Sequence, residues 1–223
     1  MKKSLNDILI QLALIVVGVL SALGVDNYRE SIQEHRSEKE YLISLRNAIQ
    51  ADTAILTIEI QKIYHKINAT SELLSLAKSA TVVEEKKFEN IITDVIMLIR
   101  PRFITAVYEE LKFTGNFKLI RNKELKSLII SYYGDNEVIQ EENDRKLFGY
   151  PQTFMDHLTF DEMEGRTPFD QRRIFKVLAT DDEVRTELIR SQKSAGSVRS
   201  GMIYTSLPHS IALLEKLQEE IDK

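Results

Sequence analysis

Ile8 to Val25 reads ILIQLALIVVGVLSALGV, a stretch without a charge, and Asp26 to Ser79 follows it with neither glycine nor proline. Together these two segments decide the fold. As a helix the first is about 27 Å long, enough to cross the hydrocarbon core of a bilayer, and its Leu, Ile and Val favour insertion by roughly 5 kcal/mol before Gln11 and Ser21 subtract. It is bounded by Lys2, Lys3 and Asp7 on one side and by Asp26, Arg29 and Glu30 on the other. Two other readings stay open: a signal peptide cleaved near Ala22-Leu23-Gly24, and a buried core helix. A permanent anchor is favoured, because apolar character continues through Leu23 and Val25 and polar helical sequence follows at once.

The second segment reads as one long helix. Leu42, Leu45, Ile49, Leu56, Ile60, Ile63, Ile67, Leu74 and Ala77 recur at steps of three and four, with Thr70 in one position, which marks a packing stripe. Asp52 interrupts the stripe and its phase slips near Leu56. Packing within a helical bundle is therefore expected rather than a strict coiled coil over the whole length. Residues 26–40 (DNYRESIQEHRSEKE) are nearly all polar and predict a solvated stalk of roughly 22 Å, with Tyr28 at headgroup level. The expected organisation is a cytoplasmic tail and anchor over 1–25, a stalk over 26–40 and a bundle over 41–223.

Composition agrees with an all-α chain. Its 223 residues include eight glycines and four prolines, far below the roughly 12% of an average protein. The absence of cysteine excludes disulfides, thiolate metal sites and a cysteine nucleophile. With 30 Lys+Arg against 34 Asp+Glu, the net charge of -4 does not point to nucleic acid.

Downstream, residues 81–85 break the pattern. Phe88 to Ile99 predicts a helix ended by Pro101, and a short helix over 103–113 is closed by Gly115 as a left-handed cap. Asn122 is the expected N-cap of a helix reaching Phe148. Pro151 restarts the chain, residues 161–167 read as an acidic loop, and a helix follows over 168–178. Thr180 or Asp181 then caps a helix reaching toward Tyr204. Pro208 lies near the start of the last helix, whose apolar face is Ile211, Leu214, Leu217 and Ile221.

Several of these residues resemble a family. Asp26-Asn27-Tyr28-Arg29-Glu30 after the span, Lys39-Glu40-Tyr41-Leu42, and the block from Tyr108 to Leu125 (YEELKFTGNFKLIRNKEL) are similar to an uncharacterised bacterial family with one N-terminal transmembrane helix and a helical domain of unknown function. Tyr28 stands where that family more often has tryptophan. The resemblance implies a single-pass anchored helical protein of the bacterial inner membrane and transfers no activity, cofactor or site residue.

The positive-inside tally nearly ties Lys2, Lys3 and the amino terminus against Arg29, Arg36 and Lys39. The ordinary behaviour of a short tail then puts the N-terminus in the cytoplasm and the C-terminal domain in the periplasm. Within the span, Gln11, Gly18, Ser21 and Ala22 share one face, and Gly18 with Ala22 is a small-xxx-small pair suited to helix dimerisation. Residues of these types are also common in any membrane helix. Lys112, Lys118, Arg121, Lys123 and Lys126, with Phe113 and Phe117, form a basic and aromatic corner, either a surface for an anion or partner or a set of solvated lysines.

No catalytic constellation is found. His35, His65, His157 and His209 are far apart, and none fits a zincin or di-iron pattern. His157 with Asp156, Asp161, Glu162 and Glu164 reads as a solvated loop. Glu109-Glu110 and Glu141-Glu142 are neighbours that point to different helix faces. The sequence thus predicts a non-enzymatic module with no cofactor, whose partners are the lipid bilayer and a protein or a second copy of itself. The alternative is a small-ligand sensor, which a pocket with convergent polar groups would favour.

Overall fold

The computed structural model describes residues 5–146 and 150–223, and of residues 5–11, 13 and 142–146 it describes the backbone alone. All regular elements among the described residues are helical. The first is α1, Leu5–Ser79, a single helix of 75 residues, about 110 Å long. It ends in a Schellman arrangement in which Thr81 N–H donates to Leu76 C=O at 3.1 Å and Ala80 N–H donates to Ala77 C=O at 3.3 Å. Ala80 sits there at φ 50°, in the left-handed region usually left to glycine.

The rest of the chain passes down, up and down along α1. In α2 (Glu85–Ile96), Lys87 pairs with Glu72, and the chain descends until Lys66 meets Val95 and Met97. An extended segment carries Ile104 down to Asp52, and α3 (Ala106–Thr114) brings Glu110 to the Tyr41 hydroxyl. Gly115 closes α3 at φ 71°, and a 3-10 turn over Asn116–Leu119 follows, in time for Arg121 N–H to donate to Glu38 at 2.7 Å.

Next, α4 (Lys123–Lys146) climbs past Asp52, which accepts the Tyr132 hydroxyl. Asn122 caps it by accepting Leu125 N–H at 3.1 Å, and its expected end at Phe148 lies outside the described residues. Short helices α5 (Gln152–Met155), α6 (Phe160–Met163) and α7 (Gln171–Thr180) cover the far end. Asp181 caps α8 (Asp182–Gly201), whose Gln192 donates to Ile67 C=O. In α9 (Leu207–Ile221), Gln218 accepts from Arg46 and Glu220 from Asn122.

Three apolar clusters lie along α1. The lowest joins Leu42, Leu45 and Ile49 to Leu125, Ile129, Leu213 and Leu217. The middle one joins Leu56, Ile60 and Ile63 to Val198 and Met202. The last joins Leu73 to Phe88, Ile92, Phe154, Phe175 and Leu188. The sequence stripe predicts the buried α1 members of the first two clusters; in the last, Ala69 and Leu73 are the buried ones and the expected Leu74 and Ala77 are only partly buried beside them.

Four details differ from expectation. First, α2 stops at Ile96, not at Arg100, because Met97 turns extended (φ -56°, ψ 128°) and the Lys66 ammonium takes carbonyls of the last turn. Second, α8 does not end before Pro208. A π-helical stretch over Met202–Ser206 joins it to α9 in one rod, and the wider turn accommodates a residue that lacks an N–H and whose ring crowds the carbonyl four places back. Third, the buried face of α9 is Leu213, Leu217 and Ile221, while Ile211 is exposed. Fourth, the supposed acidic loop is a built corner. Thr159 and Glu162 form a capping box, and the Glu162 carboxylate, 5% exposed at the residue level, also accepts from Asp170 N–H and pairs with Arg173.

Candidate functional site

The strongest site candidate lies between α3 and α4, where a cavity of ≈ 500 Å³ opens to solvent. Its geometry starts from Asp52, an acid on the buried stripe of α1 and 0% exposed. The carboxylate accepts Ile104 N–H at 2.8 Å and the Tyr132 hydroxyl at 3.0 Å. The Tyr133 hydroxyl donates to Ile104 C=O at 3.3 Å. Both backbone groups of Ile104 are thus held by side chains of α1 and α4, and the extended segment that carries it becomes one wall of the cavity, through Phe103 and Thr105.

The opposite wall is aromatic. Tyr108 of α3 stacks on Tyr133 of α4, with ring centroids 4.3 Å apart and planes 19° off parallel. Tyr132 meets Tyr133 edge-on at 5.1 Å, so the three rings and Asp52 form one block. Burial pushes the Asp52 carboxyl above the usual carboxylate range despite the two hydrogen bonds it accepts. Burial, with the Asp52 charge beside them, also raises both Tyr132 and Tyr133, which therefore stay protonated donors at neutral pH.

Polar residues complete the lining: Asn136, Gln140, and the acids Glu109, Glu137 and Glu141. Among the described residues no lining residue is a cation. Lys112 stands at the rim, 3.8 Å from Glu109 and 5.8 Å from the Tyr108 ring centre. Asn136 is 2% exposed and lies near the Tyr132 hydroxyl, yet neither its amide nitrogen nor its oxygen has a hydrogen-bond partner of good geometry among the described residues. A buried amide in that state costs about 1–3 kcal/mol.

The basic corner is only partly assembled. Arg121 pairs with Glu38 at 3.7 Å and Glu34 at 3.9 Å, and Lys112 pairs with Glu109. Lys118 and Lys123 are exposed, Lys126 is half-buried, Phe113 is exposed, and Phe117 packs edge-on against Tyr108 at 5.6 Å. Of the proposed membrane-helix face, Gly18, Ser21 and Ala22 are exposed on α1, and the Gln11 side chain lies outside the described residues. His157 lies 3.8 Å from Asp181. No group of three or more acids and histidines among the described residues is placed to hold a metal ion.

Two polar hubs escaped the sequence reading, Asp52 and Lys66. Asp52 was visible only as an interruption of the stripe. Lys66, 0% exposed, donates to Val95 and Met97 carbonyls, and burial lowers it to about 8, a shift that nearby Asp94 partly opposes. The available signal was a charge at a position the helical period assigns to the interior.

Leu12, Leu14, Ile15, Val16, Val17, Val19, Leu20, Leu23 and Val25 are each 48% to 67% exposed, on every side of α1. Among the described residues no helix is long and apolar enough to cross a membrane; the side chains of residues 8–11 and 13, which belong to the same apolar stretch, lie outside that description. Compared with protein-family models, with curated proteins and with solved structures, the chain matches none.

Proposed function

We propose that this protein is a single-pass, membrane-anchored helical module, an antiparallel bundle carried on a polar stalk that presents its surface to a protein partner or to a second copy. One observation carries the reading. Leucine, isoleucine and valine surround α1 from Leu12 to Val25 and stay exposed on every side, with no other described residue burying them. Leaving nine such side chains in water forgoes on the order of 10 kcal/mol of burial. Lipid removes that cost on all faces at once, and the polar residues 26–36 that follow are exposed, as a stalk requires. The resemblance of residues 26–30 and of the central block to single-pass bacterial proteins supports the same arrangement, and the ordinary behaviour of a short tail before a first span puts the N-terminus in the cytoplasm and the bundle in the periplasm. Packing begins at Glu38, so the free stalk is slightly shorter than the polar sequence.

Alkaline carbonate extraction of membranes tests this. The full chain is expected to sediment with the bilayer and to be released by detergent, whereas a chain beginning at Asp26 stays in solution with the same helical content. Full-length protein in the carbonate supernatant would refute the anchor. Protease protection in spheroplasts then reports which side carries the bundle. A second reading, a small-ligand sensor, is favoured by the cavity between α3 and α4.

A further inference from the structure

We propose that the cavity between α3 and α4 binds a small organic ammonium ion, a protonated amine on an apolar body. The volume of ≈ 500 Å³ suits a small ligand, and its lining combines the two features such an ion uses. The first is aromatic: Phe103, Tyr108 and Tyr133 supply faces on which a cation and its hydrocarbon rest. The second is anionic. Glu137 is exposed at the edge and has no ion pair among the described residues, and Glu109 is held only by the rim lysine at 3.8 Å. Asn136 adds a buried amide whose oxygen and nitrogen both lack a partner of good geometry among the described residues, and this cavity is the one described that touches it. An ammonium N–H reaching that oxygen, after a turn of the side chain, would offset the cost of leaving it unpaired.

The alternatives fit less well. An anion would meet the carboxylates of Glu109 and Glu137, with no cation in the lining among the described residues. A neutral aromatic would use the rings but make no use of the Glu137 carboxylate. The wall is also set before any ligand arrives, since Asp52 and Tyr133 hold Ile104 from both sides. Pre-set walls spend little binding energy on ordering. The inference does not depend on the anchor, and failure of the carbonate test would leave it standing.

Calorimetric titration of the full chain in detergent, with blank micelles subtracted, decides it. The probes are phenethylammonium, phenethyl alcohol and phenylacetate, which share one body and differ in charge. The ammonium is expected to bind about tenfold more tightly than the alcohol, and phenylacetate more weakly than either, as one carboxylate contact and one cation–π contact predict. Glu109→Gln with Glu137→Gln should lower the ammonium preference toward the part that the cation–π contact alone supplies, while leaving affinity for the alcohol unchanged. Tyr108→Leu should weaken the ammonium by about fivefold. Absence of saturable ammonium binding, equal binding of the ammonium and the alcohol, or a preference undiminished by the double substitution would each overturn the proposal. The comparison of the three probes needs only the unaltered protein, so a variant that fails to fold cannot shelter it.

Discussion

Substituting Lys66 with methionine should change how stability depends on pH more than stability itself. The ammonium is fully buried and donates to the carbonyls of Val95 and Met97, where it also meets the negative end of α2. Its pKa is lowered from 10.5 to about 8, first by burial and against the opposing pull of Asp94. Between those values the unfolded chain holds a proton that the folded chain has released, so stability must rise with pH across that window. A shift of this size corresponds to about 3 kcal/mol. Lys66→Met fills similar volume and has no titration, so its stability lacks that increment. Urea unfolding followed by circular dichroism, on both proteins from about pH 7 to 10.5, gives the difference directly. Buried Tyr132 and Tyr133 act in the opposite sense at the alkaline end, but they are common to both proteins and cancel. The gap should widen by about 3 kcal/mol in favour of the native protein. Parallel curves would refute the claim that Lys66 is buried as a cation.

Glu162 predicts an acid limb: burial alone would raise its pKa, but Arg173 and the Thr159 and Asp170 amides hold it at about 2 against 4.5. The stabilisation is complete above 4.5 and lost as pH falls toward 2, so Glu162→Gln should flatten that limb in acid unfolding monitored by circular dichroism. Asp52 has the opposite sign, since its raised pKa makes stability fall as pH rises through the folded value. Asp52→Asn should therefore lose that pH dependence, whereas Asp52→Ala should lose about 2–4 kcal/mol by orphaning Ile104 N–H and the Tyr132 hydroxyl. Ala80→Gly should stabilise by about 1 kcal/mol in thermal unfolding, because only glycine takes the left-handed cap without steric cost. Gly18→Ile should reduce self-association in a membrane two-hybrid assay if the small-residue face of α1 pairs two copies; undiminished association would remove that face from consideration.

Local rules made much of this chain readable. A run without glycine or proline, spaced apolar residues and a few cap residues suffice to place α1, the turn after Ser79, Gly115, Asn122 and Asp181, because each depends on neighbours within a few positions. The ends of α2 and α8 were misplaced for a tertiary reason: a lysine from α1 takes the last carbonyls of one, and a π turn absorbs the proline that should have divided the other. The cavity was not legible either. Tyr108, Tyr133, Asn136 and Glu137 come from two helices whose relative height is fixed by Asp52 and by Glu38 on a third. Sequence spacing carries no information about which polar side chains meet across a bundle, since that depends on how far each passage has climbed or descended along α1. The sequence alone determined that the chain is helical and that one apolar segment, Ile8 to Val25, stands apart. Only the packing of distant helices decided where a buried acid, two stacked tyrosines and a buried amide would come together.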